Sequence, residues 1–336
     1  MTERIAVVGA GSWGTTLANL LAKKGHDVRL WSFETDVTLA INERRENSVY
    51  LAGVSLDDRL EASSDLAATV LGASVVVSVS PSQHVRQVMG QAAGALDDAR
   101  LVVSASKGIE TRSLQTMDEV LQDVLPARLR GKLCFLSGPS FAAEVSREQP
   151  TAVTVASRSS DTARRAQELF QTDYFRVYTS HDVTGVELGG ALKNVMALAA
   201  GMAAGLGLGH NTRAALITRG LAEMSRLGIV LGANPLTFAG LAGMGDLILT
   251  CTGELSRNRT VGFALGQGRS LEDVLGEMRM VAEGVETSRA ARALAEREGI
   301  EMPIVAEVYA VLFEGRSPST AVRNLMLREP KPELWQ

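Results

Sequence analysis

The stretch VVGAGSWGTTLANLLAKKGHDVRLW, residues 7–31, decides the fold of this chain. Gly9, Gly11 and Gly14 match the spacing G-x-G-x-x-G. The apolar run at residues 5–8 predicts a buried strand before the glycines. Leucines at helical spacing follow them, and DVRLW at the end of the stretch predicts a second strand. A strand, a glycine turn, a helix and a strand form the βαβ unit in which this spacing binds a dinucleotide.

Each glycine has its own physical reason in that unit. Gly9 permits the tight turn, Gly11 lets the backbone approach a pyrophosphate, and Gly14 lets the helix pack on the strand. The helix that begins near Ser12 and Trp13 points the free N–H groups of its first turn at the phosphates. A purely structural glycine turn is the alternative, but the flanking strand and helix favour a cofactor of the NAD(P) type.

The rest of the first half of the chain alternates apolar runs with helical patterns. Such alternation is typical of a doubly wound, mostly parallel sheet, so we predict an α/β Rossmann domain over residues 1–182. Helical patterns then replace the strands, which predicts an all-α domain over residues 183–336. The further apolar runs lie at residues 74–80, 101–106, 133–138, 151–157 and 175–180.

Composition argues against several classes of function. The 336 residues carry a net charge of −4 without a block of lysines or arginines, so we expect no nucleic-acid partner. Cys134 and Cys251 lack CxxC spacing and the four histidines are scattered, so we predict neither a disulfide scaffold nor a metal site. The longest apolar tract, residues 197–208, is broken by glycines and too short to cross a bilayer. We expect a soluble, cytoplasmic protein without membrane insertion, whose N-terminal run is a strand rather than a signal peptide.

The residues after the second predicted strand bear on the choice between NAD and NADP. An acidic residue about 20 positions after the glycines commonly binds the ribose 2′-hydroxyl of NAD. Glu34 stands there, and it is either that residue or a solvated loop glutamate. Arg44 and Arg45 are either partners for the 2′-phosphate of NADP or part of a solvated helix face. The pattern alone leaves these alternatives open.

A helix predicted over residues 185–207 has one apolar face and one face of small or polar residues. Lys193 lies on the second face. It is either a surface lysine with a buried stem or a residue at the wall of a cleft. In a cleft, desolvation or another cation would lower its pKa towards neutrality, which suits general acid–base catalysis.

Two later segments carry further polar groups. Asp246 is a carboxylate in a glycine-rich stretch, and the cluster SRNR follows it at residues 256–259. An arginine flanked by serine and asparagine donors suits a phosphate group, and a helix start with solvated arginines is the alternative. Residues 280–299 predict a loop and then a helix that begins near Thr287 or Ser288.

Six motifs follow one another along the chain: GAGSWGT at 9–15, SKGIE at 106–110, SGPSFAAEV at 137–145, ELGGALKNVMALAAG at 187–201, AGMGDLILTCTGELSRNRTVG at 242–262 and VAEGVETS at 281–288. In this order the chain resembles the bacterial NAD(P)-dependent glycerol-3-phosphate dehydrogenase family over nearly its whole length. The resemblance implies a Rossmann domain, an all-helical second domain and a site between them. It also implies an oxidoreductase that interconverts dihydroxyacetone phosphate and sn-glycerol 3-phosphate for phospholipid synthesis, acting as a homodimer.

The resemblance implies roles for individual residues. Lys193 corresponds to the acid–base lysine, which protonates the alkoxide formed when a ketone is reduced. Lys107 corresponds to a lysine that binds the substrate, and its charge would help to lower the pKa of Lys193. The other implied substrate contacts are Gly138, Ser140 and Asp246, with Ser256, Arg257 and Asn258 at the phosphate. The implied cofactor contacts are Gly9, Gly11, Ser12, Trp13, Gly14, Phe33, Lys107, Ala142, Arg257, Val281 and Glu283.

Phe33 is a departure from the family pattern. Many members carry a basic residue at this position, where a cation would attract the 2′-phosphate of NADP. Phe33, with Glu34 beside it, favours NAD or the use of both cofactors, unless Arg44 or Arg45 compensates.

Two other functions remain as alternatives. A β-hydroxyacid or ketopantoate-type dehydrogenase can share both domains and a lysine base, but it has less need of the SRN cluster at residues 256–258. A non-catalytic NAD(P)-binding sensor would lack site residues, whereas Lys107, Lys193 and Asp246 are all present.

Overall fold

The computed structural model describes residues 2–330 and 332–333 of the chain, so the outer limits of the two predicted domains, Met1 and Gln336, lie outside it. In the described part, eight strands form one sheet in the order β3-β2-β1-β4-β5-β6-β7-β8. The strands are β1 (Arg4–Val8), β2 (Asp27–Trp31), β3 (Leu60–Ser63), β4 (Val75–Ser78), β5 (Leu101–Ser104), β6 (Leu133–Ser137), β7 (Thr151–Ala156) and β8 (Phe175–Ser180).

Parallel pairing dominates this sheet and determines where a ligand can bind. Neighbouring strands are parallel except β6 and β7, which confirms the predicted mostly parallel sheet. β1 lies between β2 and β4, and its last residue, Val8, is level with Trp31 and Ser78. The carboxyl ends of these three strands therefore share one edge where the strand order changes direction, the position at which open α/β sheets bind ligands.

Apolar side chains on both faces explain why the sheet is covered by helices on both sides. In β1, Ile5 and Val7 join one core cluster, whereas Ala6 and Val8 join the cluster on the opposite face. Alternate residues of a strand point to opposite faces, so a fully apolar strand needs two layers of helix to bury it. The helices of this half are α1 (Ser12–Lys23), α2 (Thr35–Arg44), α3 (Leu66–Val70), α4 (Val85–Ala92), α5 (Met117–Val124), α6 (Ala142–Val145) and α7 (Ser160–Phe170).

The second half of the described chain is helical, as predicted. Its helices are α8 (Val183–Gly205), α9 (His210–Val230), α10 (Pro235–Phe238), α11 (Asp246–Thr252), α12 (Arg257–Gly266), α13 (Leu271–Gly276), α14 (Glu283–Arg297), α15 (Pro303–Phe313) and α16 (Pro318–Met326).

α8 is the central helix of this half. Most of its residues are buried, and α9, α11, α12 and α14 pack around it. The contact with α12 is close, because a Cβ atom at Gly262 would lie 2.1 Å from the carbonyl oxygen of Leu198. Asp182 caps α8, since its Oδ1 accepts the N–H of Gly185 at 2.9 Å. Both predicted faces of this helix are therefore enclosed by neighbouring helices.

Two local features differ from the expectations. β3 was not predicted, because Leu60–Ser63 is short and contains one charged residue. α14 begins at Glu283 rather than near Thr287 or Ser288. Those two residues are buried inside the helix, and the Ser288 hydroxyl donates to the carbonyl of Val285 instead of capping a helix end.

Two further tests concern membranes and metals. In the described residues, Pro235–Thr252 passes a length and hydropathy test for a membrane-spanning helix. In the structure this stretch is divided into α10, a π-helical turn at Leu241–Gly245 and α11, and it packs against α8.

Within the described ranges, 2–330 and 332–333, no group of three or more metal-ligating side chains occurs. Cys134 and Cys251 are buried free thiols, and burial raises the pKa of each to about 12.

Candidate active site

The glycine turn between β1 and α1 has the geometry of a pyrophosphate cradle. Gly9 has φ +123°, and its N–H donates to the carbonyl of Trp31 at 3.1 Å. A Cβ atom at Gly14 would lie 1.8 Å from the Gly9 oxygen, so α1 can approach the turn only with glycine there. A Cβ atom at Gly11 would meet nothing within 4 Å, and this open space lies at the N-terminus of α1. The turn therefore fits a dinucleotide phosphate.

The residues around this turn are held by packing. Trp13 follows Ser12 in the first turn of α1, and its ring lies 6.4 Å from that of Phe175. The Trp13 Nε1 atom is buried and has no hydrogen-bond partner among the described residues. The carbonyl of Ala142, at the start of α6, accepts a hydrogen bond from Thr16 Oγ1 at 3.3 Å. This contact brings the start of α6 against α1.

After β2, Glu34 is an anchored carboxylate, and its hydrogen-bond donors are Tyr50 and Ser32 rather than either predicted arginine. Phe33 is 81% exposed, with its ring edge against Trp31. Glu34 accepts hydrogen bonds from Tyr50 and from the neighbouring Ser32. Arg44 is exposed at the end of α2. The next residue, Arg45, turns to the segment 57–58, where it donates to the Asp57 carbonyl and pairs with Asp58 at 3.6 Å.

Three charged side chains from separate segments meet in one group, named here the lysine–aspartate cluster: the buried Lys193 and Asp246 and the half-buried Lys107. Lys193 projects from α8, Lys107 follows β5, and Asp246 begins α11 directly after the π-helical turn. Asp246 Oδ1 accepts from Lys193 Nζ, and its Oδ2 accepts from Lys107 Nζ at 2.7 Å. Lys193 is 7% exposed and Asp246 1% exposed. The cluster joins the Rossmann half to the helical half in a site of low dielectric constant.

The pKa values of Lys193 and Asp246 are both lowered, for different reasons. Burial lowers the pKa of Lys193, Asp246 raises it and Lys107 lowers it again, with a result of about 8. Burial raises the pKa of Asp246, but the two ammonium groups outweigh burial and hold it below its ordinary value. Asp246 is therefore a carboxylate at neutral pH, while Lys193 can exchange a proton near neutrality.

Thr250 contacts this cluster through Lys193, and the sequence analysis did not identify it. Its hydroxyl donates to the backbone carbonyl of Asp246 at 2.6 Å, which leaves its lone pairs to accept from Lys193 Nζ at 2.9 Å. An ammonium group has three donors, and Asp246 and Thr250 use two of them. A spacing of four residues on α11 places both partners on one helix face, and that is the signal that could have found Thr250.

The loop after β6 closes the other side of Lys107. The carbonyl of Gly138 accepts from Lys107 Nζ at 3.1 Å and from Ser140 Oγ at 3.0 Å. Gly138 has φ +137°, and a Cβ atom there would lie 3.0 Å from the Cα of Val153. The turn therefore requires glycine, and it places Gly138 and Ser140 next to the cluster.

The SRN cluster lies at the N-terminus of α12, where backbone N–H groups attract anions. Ser256 caps this helix by accepting from the N–H of Arg259 at 3.3 Å. Asn258 joins three helices, since it donates to Asn194 in α8 and accepts from the N–H of Gly284 in α14, both at 2.9 Å. Its side-chain amide thus also has a structural role.

Val281 and Glu283 lie before and at the start of α14, beside this helix end. The exposed Arg257 donates to the Val281 carbonyl at 3.0 Å. Glu283 accepts from both the N–H and the hydroxyl of Ser82, in the 3₁₀ turn after β4. Val281 and Glu283 also line a cavity of about 610 Å³, together with His84 and other residues. The residues of the lysine–aspartate cluster do not line this cavity.

Comparisons with known proteins identify the family. The family model described as "NAD-dependent glycerol-3-phosphate dehydrogenase N-terminus" matches residues 4–163. The model for the C-terminus of the same family matches residues 182–323. The chain belongs to the NAD-dependent glycerol-3-phosphate dehydrogenase family. A protein of Citrifermentans bemidjiense named glycerol-3-phosphate dehydrogenase [NAD(P)+] is 58% identical over 333 residues, 99% of each chain. One of the same name from Geobacter sulfurreducens is 58% identical over 335 residues, 100% of each.

Solved structures agree with this assignment. The glycerol-3-phosphate dehydrogenase of Coxiella burnetii has a TM-score of 0.93 at 39% identity, covering 97% of this chain and 99% of that one. A ketopantoate reductase from Ralstonia eutropha has a TM-score of 0.59 at 17% identity, covering 95% and 99%. The second likeness shows the shared fold alone.

Proposed function

We propose that this enzyme interconverts dihydroxyacetone phosphate and sn-glycerol 3-phosphate with NAD(P)H as its cofactor. Full-length relatives at 58% identity carry the name glycerol-3-phosphate dehydrogenase [NAD(P)+]. The observation that carries the proposal is the buried lysine–aspartate cluster, because a ketone and its alcohol differ by a hydride and a proton. A buried ammonium group beside the site supplies the proton.

The cofactor would bind along the sheet edge where β1, β2 and β4 end. When bound, nicotinamide donates the hydride in reduction and accepts it in oxidation. The open space at Gly11 and the N-terminus of α1 support a pyrophosphate at this position. The residues that we assign to cofactor binding are Gly9, Gly11, Ser12, Trp13, Gly14, Phe33, Lys107, Ala142, Arg257, Val281 and Glu283.

Lys193 is the acid in ketone reduction and the base in alcohol oxidation. Its ammonium group protonates the C2 oxygen as charge develops there, and the neutral amine takes that proton in the reverse direction. Asp246 and Thr250 hold the nitrogen through two of its donors, so the third points away from them towards a ligand. A pKa of about 8 lets the group serve both directions near neutral pH.

The substrate is held by charged and polar groups on both sides of Lys193. Lys107, Gly138, Ser140 and Asp246 contact the carbon chain and its oxygens, because they surround the same buried point. Ser256, Arg257 and Asn258 bind the phosphate, since a guanidinium group at a helix N-terminus suits a dianion.

The organisation of the chain follows from the same reasoning. We assign residues 1–182 to a dinucleotide-binding domain and residues 183–336 to a helical substrate domain. The family models end and restart between residues 163 and 182, and Asp182 caps α8, which supports a boundary there. We also propose a cytoplasmic homodimer without membrane insertion or a nucleic-acid partner, whose product supplies phospholipid synthesis.

Absorbance at the NAD(P)H band tests this function directly. Purified enzyme mixed with dihydroxyacetone phosphate should oxidise NADH or NADPH, while Lys193→Ala should be nearly inactive. Lys23→Ala is a matched control, because Lys23 is exposed in the last turn of α1. Inactivity of the wild type with both cofactors contradicts the proposal, and activity on a 2-hydroxyacid instead would favour the hydroxyacid dehydrogenase alternative.

A further inference from the structure

Glu34, at the carboxyl end of β2, is held through both of its carboxylate oxygens. Oε1 accepts from the Tyr50 hydroxyl at 2.7 Å, and Oε2 accepts from the Ser32 hydroxyl at 3.2 Å. A solvated loop glutamate has no such anchors. Each carboxylate oxygen can accept more than one hydrogen bond, so both remain able to accept from a ligand.

Tyr50 is in turn tied to the glycine turn. Its N–H donates to Asn47 Oδ1 at 3.1 Å, and Asn47 is fully buried. The Asn47 amide donates to the carbonyl of Ala10 and to the Thr15 hydroxyl, each at 2.8 Å. One continuous set of hydrogen bonds therefore links the phosphate turn to Glu34 and fixes their relative position.

The charge around Tyr50 is more negative than positive. The groups that act on it in the described chain are the carboxylates of Glu34 and Asp36 and the guanidinium of Arg279. Burial, together with Glu34, raises the pKa of Tyr50 to about 12, so its hydroxyl remains a donor at physiological pH. A fixed carboxylate accepts from a hydroxyl group but repels a phosphate.

We propose that Tyr50 is a positioning residue that holds Glu34 so that the site prefers a dinucleotide with a free ribose 2′-hydroxyl, NADH, over one with a 2′-phosphate, NADPH. The inference rests on the proposed function, because it assumes that the dinucleotide crosses the glycine turn. It extends that function by naming a residue outside all of the motifs that determines which cofactor is used.

Equilibrium binding without substrate tests the preference, with titration calorimetry of NADH and of NADPH on each variant. The wild type should bind NADH more tightly by about tenfold or more, as expected for a hydrogen bond to a charged group. Glu34→Gln should tighten NADPH binding by about tenfold, because the repelling charge is removed and the shape is kept. Tyr50→Phe should move the ratio of the two dissociation constants towards NADPH by about threefold or more.

Control variants separate positioning from general effects. Glu43→Gln removes the same charge at an exposed position of α2, the helix that Glu34 precedes. Tyr178→Phe removes a hydroxyl group at an exposed position of β8. Both should leave the ratio of the dissociation constants unchanged. A purely structural Tyr50 would weaken both cofactors equally, and an unchanged ratio in Tyr50→Phe therefore overturns its role.

The outcomes also distinguish this inference from the proposed function. Equal binding of both cofactors, or tighter NADPH binding, by the wild type overturns the preference and leaves the enzymatic activity standing. Binding of neither cofactor overturns the proposed function and the preference together.

Discussion

Two buried carboxylates in the helical half have almost the same exposure and opposite properties. Asp246 is 1% exposed and Glu223, in α9, is 3% exposed. Asp246 has a lowered pKa, because Lys107 and Lys193 outweigh the effect of burial. Burial raises the pKa of Glu223 to about 7, although the backbone N–H groups of Ile304 and Val305, which donate to its carboxylate, act to lower it.

The difference shows that burial of a charge does not by itself mark a reactive site. Glu223 caps the N-terminus of α15, which is a structural task. Asp246 instead pairs with two ammonium groups from different parts of the chain. It raises the pKa of one of them, Lys193, against the effect of burial, and the resulting pKa is about 8. A buried carboxylate that pairs with titratable side chains is the one expected to belong to a catalytic site.

The largest expected effect is that of Lys193→Met, which keeps a long unbranched side chain and removes the amine that exchanges a proton. We expect kcat for dihydroxyacetone phosphate reduction to fall by about a thousandfold, in the range seen for general acid catalysis. Steady-state kinetics at pH 7 measure it. Retention of a tenth of the activity would show that another group donates the proton.

Asp246→Asn should have the next largest effect. We expect kcat to fall by about a hundredfold, since the amide no longer holds two ammonium groups. The pKa of Lys193 should also drop below about 8, because Asp246 raises it in the wild type. The pH dependence of kcat measures both effects. An upward shift of the midpoint would contradict this electrostatic account.

Glu223 variants should change stability rather than catalysis. Glu223→Ala leaves the N–H groups of Ile304 and Val305 without their acceptor, at a cost of about 1–3 kcal/mol in the free energy of unfolding. Denaturant unfolding measures it, and kcat should stay unchanged. A loss of kcat as large as that of Asp246→Asn would remove the distinction between the two carboxylates.

The pH dependence of stability provides a separate test of Glu223. Its pKa of about 7 in the folded state lies above its ordinary value of 4.5. Its stabilising contribution is therefore fully present below pH 4.5 and is lost as the pH rises through about 7. Relative to Glu223→Gln, the wild type should lose thermal stability over this window. A parallel pH dependence of the two proteins would contradict the raised pKa.

Among the substitutions at Lys193 and its partners, Thr250→Val should have the smallest effect on turnover. The variant keeps the shape and removes one acceptor for Lys193, so we expect kcat to fall by about fivefold. Thr252→Val is the control, because the Thr252 hydroxyl donates to the Ile248 carbonyl on the exposed side of α11. Equal effects of the two substitutions would mean that Thr250 has no special role.

The sequence predicted the elements whose signal is local. The glycine spacing and the apolar runs of β1 and β2 depend on neighbouring residues, and these elements were found with their order. β3 was missed because LEAS has no continuous apolar run. The Thr287 and Ser288 pair was misread as a helix start, because side chains with capping chemistry also occur inside buried helices.

Contacts within the site depend on tertiary structure, so the sequence could supply only candidates for them. Lys193 and Asp246 are 53 residues apart, and their pairing follows from how α11 packs on α8. The partner of Glu34 is Tyr50, which belongs to no motif. The resemblance to the family named most of the candidate residues, but it did not indicate what holds each of them.

The pH profiles of the two reaction directions, measured side by side, test the central claim that Lys193 is the acid and base of this enzyme. With a pKa of about 8, reduction of dihydroxyacetone phosphate should decline above that pH, where the ammonium is lost. Oxidation of sn-glycerol 3-phosphate should rise over the same range, because the neutral amine is then available. Profiles that change in the same direction, or that show no transition between pH 7 and 9, would contradict the assignment of Lys193.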